Sequence, residues 1–275
     1  MITARLIRSG FCDAATNMAI DEAIFLSYRE NVSVPTLRLY GWKPAAISIG
    51  RSQNPQETLD LDACQEQNVT FTRRPTGGGI IFHDHELTYS IILAQSDIGL
   101  SYRVKESFES ITSFLITAYR NLGIEACFAK NIFRSIPENH TIADFCFSRK
   151  EEYDILANGR KLGGNAQKRR RNIILQHGSI PLSFDKTKAS QLLKGNRASG
   201  ALDITTIADV AKAKINEESL SDALIKAFSA RFKTTLKLDN LTNEEKILAN
   251  ELKTYKYTNT GWNFHARATT QARVA

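Results

Sequence analysis

Apolar residues in this chain change their spacing every ten or twenty positions, and the order of those changes limits the folds open to it. Ala14 to Tyr28 reads as a helix, with Met18, Ala19, Ala23, Phe25 and Leu26 on an apolar stripe against a polar back. Thr36 to Tyr40 and Ala46 to Ile49 are short apolar runs parted by Gly41-Trp42-Lys43-Pro44, a strand–turn–strand pattern. Leu59 to Gln67 reads as helix and Thr70 to Arg74 as strand. Ile80 to Phe82 and Leu87 to Leu93 read as paired strands, and Tyr102 to Leu122 as the longest helix. Further on, Tyr153 to Ala157 and Lys161-Leu162 flank Asn158-Gly159, a tight-turn dipeptide. Ile173 to Leu175 and Ser179 to Leu182 read as a strand pair around Gln176-His177-Gly178. Helices follow over Lys188 to Leu193, Thr206 to Val210, Ser219 to Phe232 and Glu244 to Tyr255. Strands and helices mix without strict βαβ alternation. The expected class is α+β, with mixed, largely antiparallel sheets flanked by helices.

The chain has 275 residues, with 42% hydrophobic and 24% charged content, the composition of a soluble globular protein. No stretch approaches the ~20 apolar residues that cross a bilayer. Met1 to Gly10 reads as a first strand, not a signal peptide. A cytoplasmic protein without membrane contact is expected. Cys12, Cys64, Cys127 and Cys146 form no CxxC pair, so neither a structural zinc site nor a redox dithiol is indicated, and no metal site is expected. In a reducing compartment they are free thiols. The net charge of +7 admits a nucleic-acid partner or an acidic protein partner. The densest basic run, Lys168 to Arg171, fits a solvated turn. No RRM, KH, zinc-finger or dinucleotide signature accompanies it, so nucleic acid is not the expected partner.

Three stretches carry chemistry. In Arg73-Arg74-Pro75-Thr76-Gly77-Gly78-Gly79-Ile80-Ile81-Phe82-His83-Asp84, three glycines let the backbone approach a ligand and aim N–H groups at an anion or a carbonyl oxygen. Arg74 adds a fixed cation and Thr76 a hydroxyl. Glycines alone would equally make a hairpin turn, but the arginine pair and His83 favour a binding loop. The GxxxxGK[ST] spacing of a P-loop is absent. In Asn158 to Gln167, Lys161 precedes the small residues Gly163 and Gly164 and can reach a pocket as a base or polarising cation. In Gln176-His177-Gly178, His177 is a pocket-lining residue at most.

Together these stretches resemble the lipoate–protein ligase and octanoyltransferase family, related in fold to biotin protein ligases. The resemblance rests on Asn17 to Ala23, on the Arg38 to Gln53 run RLYGWKPAAISIGRSQ, on RRPTGGGIIFHD, on NGRKLGGNAQ and on LQHGSIPL, in the family's order. It implies a mixed sheet with a long curved pocket for an octanoyl-length chain. Arg74, Thr76 and Gly77, Gly78, Gly79, Ile80, Ile81 and Phe82 would line the acyl-carbonyl and phosphate or pantetheine end. Lys161 would hold the reactive carbonyl. His83, Gly164, Asn165, Ala166 and His177 would complete the substrate site. The GRGRxGRxW-type loop of biotin ligases is absent, which argues against biotin.

The family divides by mechanism. Lipoate ligases form a lipoyl-adenylate from ATP. Octanoyltransferases take the chain from acyl carrier protein onto a cysteine. Cys146, in Asp144-Phe145-Cys146-Phe147-Ser148, resembles the transferases' nucleophile, although Ser148 to Glu152 departs from their usual sequence. A neighbouring ammonium would favour its thiolate. The catalytic domain is expected over 1–235. The short helical tail over 236–275, with Gly261-Trp262-Asn263-Phe264, resembles the transferases' ending and is too small for a ligase accessory domain. The expected activity is octanoyl transfer from octanoyl-acyl carrier protein to a lysine of a lipoyl-domain protein, such as glycine-cleavage H protein or a dehydrogenase E2 domain. Cys146 and Lys161 would be the catalytic residues, the protein a monomer, and no cofactor required. An ATP- and Mg-dependent lipoate ligase with a separate accessory subunit stays open as the alternative. A non-catalytic lipoyl-domain binder ranks lower, because Lys161 is present.

Overall fold

Two long strands with every residue buried form the middle of the molecule, and the site is built on their flank. The structure, a computed structural model, describes residues 2–133, 151–194 and 204–267. In chain order the first half runs β1 (Ile2–Cys12), α1 (Ala14–Ser27), β2 (Thr36–Trp42), β3 (Ala46–Ile49), α2 (Pro55–Thr58), α3 (Leu61–Glu66), β4 (Thr70–Arg73), β5 (Ile81–His83), β6 (Glu86–Ala94), α4 (Val104–Asn121), β7 (Ala126–Phe128) and α5 (Ala129–Phe133). The second half runs β8 (Ile155–Ala157), β9 (Arg160–Leu162), β10 (Gly164–Arg170), β11 (Ile173–Pro181), α6 (Lys186–Gln191), β12 (Ile204–Thr205), α7 (Ile207–Val210), α8 (Glu217–Phe232), β13 (Thr234–Leu238), α9 (Asn243–Leu252) and α10 (Thr260–His265), with a π turn over Lys253–Tyr257 between the last two.

The main sheet has six strands in the order β10-β11-β6-β2-β1-β13. A four-stranded sheet runs β12-β9-β8-β7, and a three-stranded one runs β4-β3-β5. Antiparallel pairing links β10, β11, β6 and β2, while β1 runs parallel to both β2 and β13. The α+β class with mixed sheets therefore holds.

Strand alternation divides the two faces. On β6, Leu87, Tyr89, Ile91 and Leu93 join the core formed with Phe114 of α4 and Phe228 of α8. Ile92 and Ala94 join the opposite core, under α1. Both faces of β6 and β11 are covered, so these strands read as near-continuous apolar runs. Helix α1 starts where the Asp13 carboxylate accepts from the Thr16 N–H at 2.9 Å. Its expected polar back is not solvated. Asn17, Asp21 and Glu22 are buried, because basic groups of β2, β10 and the chain's end come to meet them.

Several local expectations are corrected. Ile81–His83 does not pair with the strand after it. β5 joins β3, while β6 pairs with β2 and β11, and His83 bonds Glu86 across the bend between them. Ile173 to Leu182 is not a hairpin: Ile173–Pro181 is one strand, β11, paired with β6 along its length and with β10 as far as Ser179, with His177 in its middle. Lys168 to Arg170 is no solvated turn, being the end of β10. Lys168 faces Glu22 at 3.3 Å, Arg169 bonds Ser107, Gln167 and the Tyr102 carbonyl, and Arg170 donates to the Leu26 carbonyl at 2.9 Å, capping the end of α1. Strand β13 was unforeseen. It lies on β1 and crosses from residue 235 to 236. The Asn158-Gly159 hairpin stands as expected, with φ of 49° and 73° and Leu156 paired to Lys161.

Candidate active site

Between the small sheet, the β10 edge of the main sheet and β9 lies a cavity of about 420 Å³, a size suited to a small organic ligand. One wall is apolar: Ile47, Phe82, Phe184, Ala189, Leu192 and Leu193. A second carries Met18, Tyr40, Trp42, His83, Thr88, His177 and Ser179. The rest is made by Glu151, Asp154, Lys161 and Gly163 to Ala166. An apolar wall facing a few polar groups suits an acyl chain with one reactive end.

Lys161 sits on β9, and its ammonium meets the Asp154 carboxylate at 2.7 Å, with 31% of the side chain exposed. Asp154 is held by its own loop. Its second carboxylate oxygen accepts from the Glu151 N–H at 3.0 Å, and its backbone oxygen accepts from the Ala129 N–H at 2.8 Å. The lysine therefore enters the cavity as a positioned cation on a rigid partner. Between β9 and β10, Gly163 takes φ of 75°, and a Cβ there would lie 2.1 Å from the Ser179 carbonyl oxygen. Only glycine lets the backbone cross so closely against β11.

The glycine loop is stapled from within. Arg74 donates to the carbonyls of Gly77 and Gly79, both at 2.7 Å, and to the Ser48 carbonyl at 3.2 Å. The guanidinium expected to meet a ligand anion thus spends most of its fork on the loop, and burial pushes it down to about 10. A Cβ on Gly50 would lie 1.9 Å from the Gly78 oxygen, so the loop is seated against β3's end. Arg73 does the same for the chain's end. It donates to the carbonyls of Arg51 and Gln53, both at 2.7 Å, of Trp262 at 2.8 Å and of Asn263 at 2.9 Å.

A buried polar chain runs behind the cavity. Asp21 accepts from Arg38 at 2.6 Å, Ser90 at 2.7 Å and Tyr40 at 2.8 Å, and lies 3.3 Å from His177 Nδ1. Burial raises its carboxyl, but Arg38 and these donors outweigh that and hold it below the usual carboxylate range. An ionised Asp21 only accepts, so His177 donates from Nδ1 and accepts at Nε2 from the Thr76 hydroxyl at 2.7 Å. Burial depresses the imidazole below its ordinary value, more than Asp21 raises it. A second cluster joins His83, stacked on Trp42 at 3.8 Å, to Glu86 at 2.9 Å and Ser48 at 2.8 Å.

Of the residues expected to bind substrate, Arg74, Gly78, Gly79, Ile80, Ile81, Phe82, His83, Gly164, Asn165, Ala166 and His177 border the cavity together with Lys161. Thr76 and Gly77 stand behind it, one holding His177 and the other held by Arg74. Cys146 lies outside the described residues. Sequence reasoning missed Asp154, Tyr40 and the apolar wall of Phe184, Leu192 and Leu193. Asp154 carried a weak signal, an acid just ahead of the strand before the lysine. The wall carried none, since apolar residues flanking a short helix look like any core. Among the described residues no cluster of three or more His, Cys, Asp or Glu side chains could hold a metal ion, and no helix is long and apolar enough to cross a membrane.

The family model for the lipoyl protein ligase A/B catalytic domain matches residues 13–229. The chain is 34% identical over 270 residues to octanoyltransferase LipM of Geobacillus kaustophilus, spanning 94% of this chain and 97% of that protein. It is 36% identical over 267 residues to octanoyltransferase LipM of Clostridioides difficile, with the same coverage. A lipoate-protein ligase A solved with ATP bound superposes with a TM-score of 0.80 at 26% identity, covering 96% of this chain and 99% of that one. The bi-partite lipoate protein ligase of Thermoplasma acidophilum superposes with a TM-score of 0.82 over 98% of this chain and 100% of that one. At 23% identity it shows the common fold.

Proposed function

The chain belongs to the lipoyl protein ligase A/B catalytic-domain family, and from that membership we propose that it is an octanoyltransferase of lipoate biosynthesis. Its donor is octanoyl-acyl carrier protein, its acceptor a lysine of a lipoyl-domain protein, and its intermediate a thioester on Cys146. The observation that carries this reading is its likeness to octanoyltransferases LipM, at 34% to 36% identity and across 97% of their length. The solved ligases match at 23% to 26%.

The site's chemistry supports it. The Cys146 thiolate adds to the donor's carbonyl carbon, and the carbonyl electron pair moves to oxygen. As that pair returns, the bond to the pantetheine sulfur breaks, and the leaving thiolate takes up a proton. One thioester replaces another, so no ATP is needed. A neutral acceptor amine then adds to the acyl-enzyme. The C–N bond forms, Cys146 leaves as thiolate, and the amine's extra proton passes to solvent or a nearby base. Lys161, held in place by Asp154, polarises the carbonyl in both steps. The apolar wall takes the alkyl chain. The protein works as a monomer in the cytoplasm, where Cys146 stays reduced.

The test is the intact mass of the protein after incubation with octanoyl-acyl carrier protein, without ATP or acceptor. An octanoyl adduct is expected in the wild type and in Lys161→Ala only at a rate lower by roughly 100-fold or more, and it is absent from Cys146→Ser. No wild-type adduct, with an adenylate formed from lipoate and ATP instead, would make this a ligase.

A further inference from the structure

One polar side chain at the cavity is oriented without being used up. Asn165, on β10, borders the cavity with Lys161, and only Leu162, Gly163 and Gly164 separate the two in sequence. Its Oδ1 accepts from the Tyr89 hydroxyl at 2.7 Å. That hydroxyl in turn accepts from Gln176 Nε2 at 3.3 Å, and the same Gln176 nitrogen donates to Thr112 Oγ1 at 3.0 Å. Gln176 Oε1 is itself held by Gln167 Nε2 at 2.9 Å. Every rotor in the chain is thereby set. Burial holds the Tyr89 hydroxyl well above its ordinary range, so it stays protonated and donates. With Oδ1 taken by a donor, the amide cannot flip, and its NH2 group has no acceptor among the described residues.

The backbone makes room for this arrangement. A Cβ on Gly178, the β11 partner of Asn165, would lie 2.3 Å from Asn165 Oδ1 and 2.6 Å from the Tyr89 ring. Glycine at 178 is what lets the amide and the phenol meet. The network thus ends in a half-buried amide whose free donor opens onto the ligand cavity, where a substrate acceptor can take the place of water.

We propose that the Asn165 amide donates from Nδ2 to the oxygen of the acyl carbonyl, and that Tyr89 is the residue that positions it. This rests on the octanoyl-transfer reading above and deepens it. Lys161 and Asn165 then form a two-donor site for the oxyanion that develops as thiolate or amine adds to the thioester. One donor is charged and anchored by Asp154, the other neutral and anchored by Tyr89. Because the amide is set before substrate arrives, it costs no reorganisation during the reaction.

Three proteins test this with octanoyl-acyl carrier protein as the probe. Asn165→Asp keeps an acceptor for Tyr89 and the side chain's shape but replaces the donor with a second acceptor, so kcat for acyl-enzyme formation falls by about 100-fold. Tyr89→Phe keeps the ring and frees the amide to turn, so kcat falls by roughly tenfold, the worth of one ordinary hydrogen bond. KM stays within about twofold in both, because the contact strengthens only as charge develops. The carbonyl stretch of the octanoyl thioester on Cys146, read by isotope-edited infrared spectroscopy, lies at lower frequency in the wild type than in Asn165→Asp. A thermal melt shows both variants folded. Wild-type transfer with an unchanged kcat in Asn165→Asp, or an unmoved carbonyl band, would overturn the role of Asn165 and leave the octanoyl-transfer reading standing. A wild type that forms no acyl-enzyme removes that reading, and this one with it.

Discussion

The ionisable groups buried beside the cavity tie this protein's stability to pH in two windows. The Asp21, Glu22 and Glu86 carboxyls lie below their ordinary values: burial raises each, and the Arg38, Lys256 and His83 partners more than reverse it. Such groups bind protons more weakly in the folded chain. The stability they contribute is whole above the unfolded values of 3.8 and 4.5 and is lost as pH falls through their folded values. His177 is also depressed, by burial, so the unfolded chain takes up its proton first. Stability therefore starts to fall as pH drops below the ordinary imidazole value of 6.5 and goes on falling to the folded value. The midpoint of urea unfolding should decline between pH 7 and pH 5.5, a range above the ordinary carboxyl values of 3.8 and 4.5. His177→Gln, which leaves a side chain able to bond Thr76 and Asp21, should show a flatter profile over that range. Equal slopes would mean that His177 is not the group responsible.

At the scale of elements, the site depends on two tight backbone crossings more than on any helix. One is the step from β9 to β10, the other the seat of the glycine loop at Gly50. Gly163→Ala meets both obstacles at once, a left-handed φ of 75° and the Ser179 carbonyl oxygen 2.1 Å from the new methyl. It should cost roughly 3 kcal/mol or more, and it should move Lys161 relative to Asn165, so that transfer is lost at temperatures where the protein is still folded. A thermal melt within a degree of wild type, with full activity, would show that the crossing yields easily. The cation of the glycine loop bears on elements too. Because Arg74 binds two loop carbonyls and the Ser48 carbonyl of β3, its main effect is on the shape and seating of the loop, with the substrate's charge second.

Across the whole molecule, the segment from Lys256 to Phe264 packs on Arg73 and α1 beside the site. Asn263 accepts from the Arg73 N–H at 2.9 Å and donates to the Tyr257 carbonyl at 2.8 Å, while Trp262 Nε1 donates to the Arg73 carbonyl at 2.8 Å. Lys256 reaches Glu22 of α1 at 2.5 Å. Through Arg73 the tail holds Arg51 and Gln53, and Gln53 borders the cavity. Asn263→Ala leaves a buried N–H and a buried carbonyl without partners, and should cost about 2 to 4 kcal/mol. Its effect on catalysis should appear as a raised KM with kcat nearly kept, since Gln53 borders the cavity and has no bond to Lys161 or Asp154 among the described residues. A fall in kcat at constant KM would instead place the tail's influence at the reacting carbonyl. The same view alters the meaning of the basic run. Lys168, Arg169 and Arg170 face inward onto α1, α4 and β10 itself, so they fasten the edge strand more than they present charge to an acidic partner.

Periodicity alone determined most elements, because covered strands and amphipathic helices need opposite apolar spacings. It gave α1, β2, β3, α4, α8 and the Asn158-Gly159 hairpin within a residue or two. The order of five motifs determined the family, and with it Lys161 and the glycine loop, since those residue types serve chemistry that position in the fold does not change. Pairing was not legible. A strand's partner depends on which edge is free once the chain has folded, so β5 left its neighbour, β11 ran through a predicted turn, and β13 closed an edge on β1. Nor was the use of each polar group. Arg74, Thr76 and the Lys168 to Arg170 run read as groups open to a ligand or solvent, yet burial obliges each to satisfy nearby protein atoms first. Only the tertiary structure could say which donors were left over, and Asn165, four positions from Lys161 on the next strand and fixed by a tyrosine 76 residues away, is one of them.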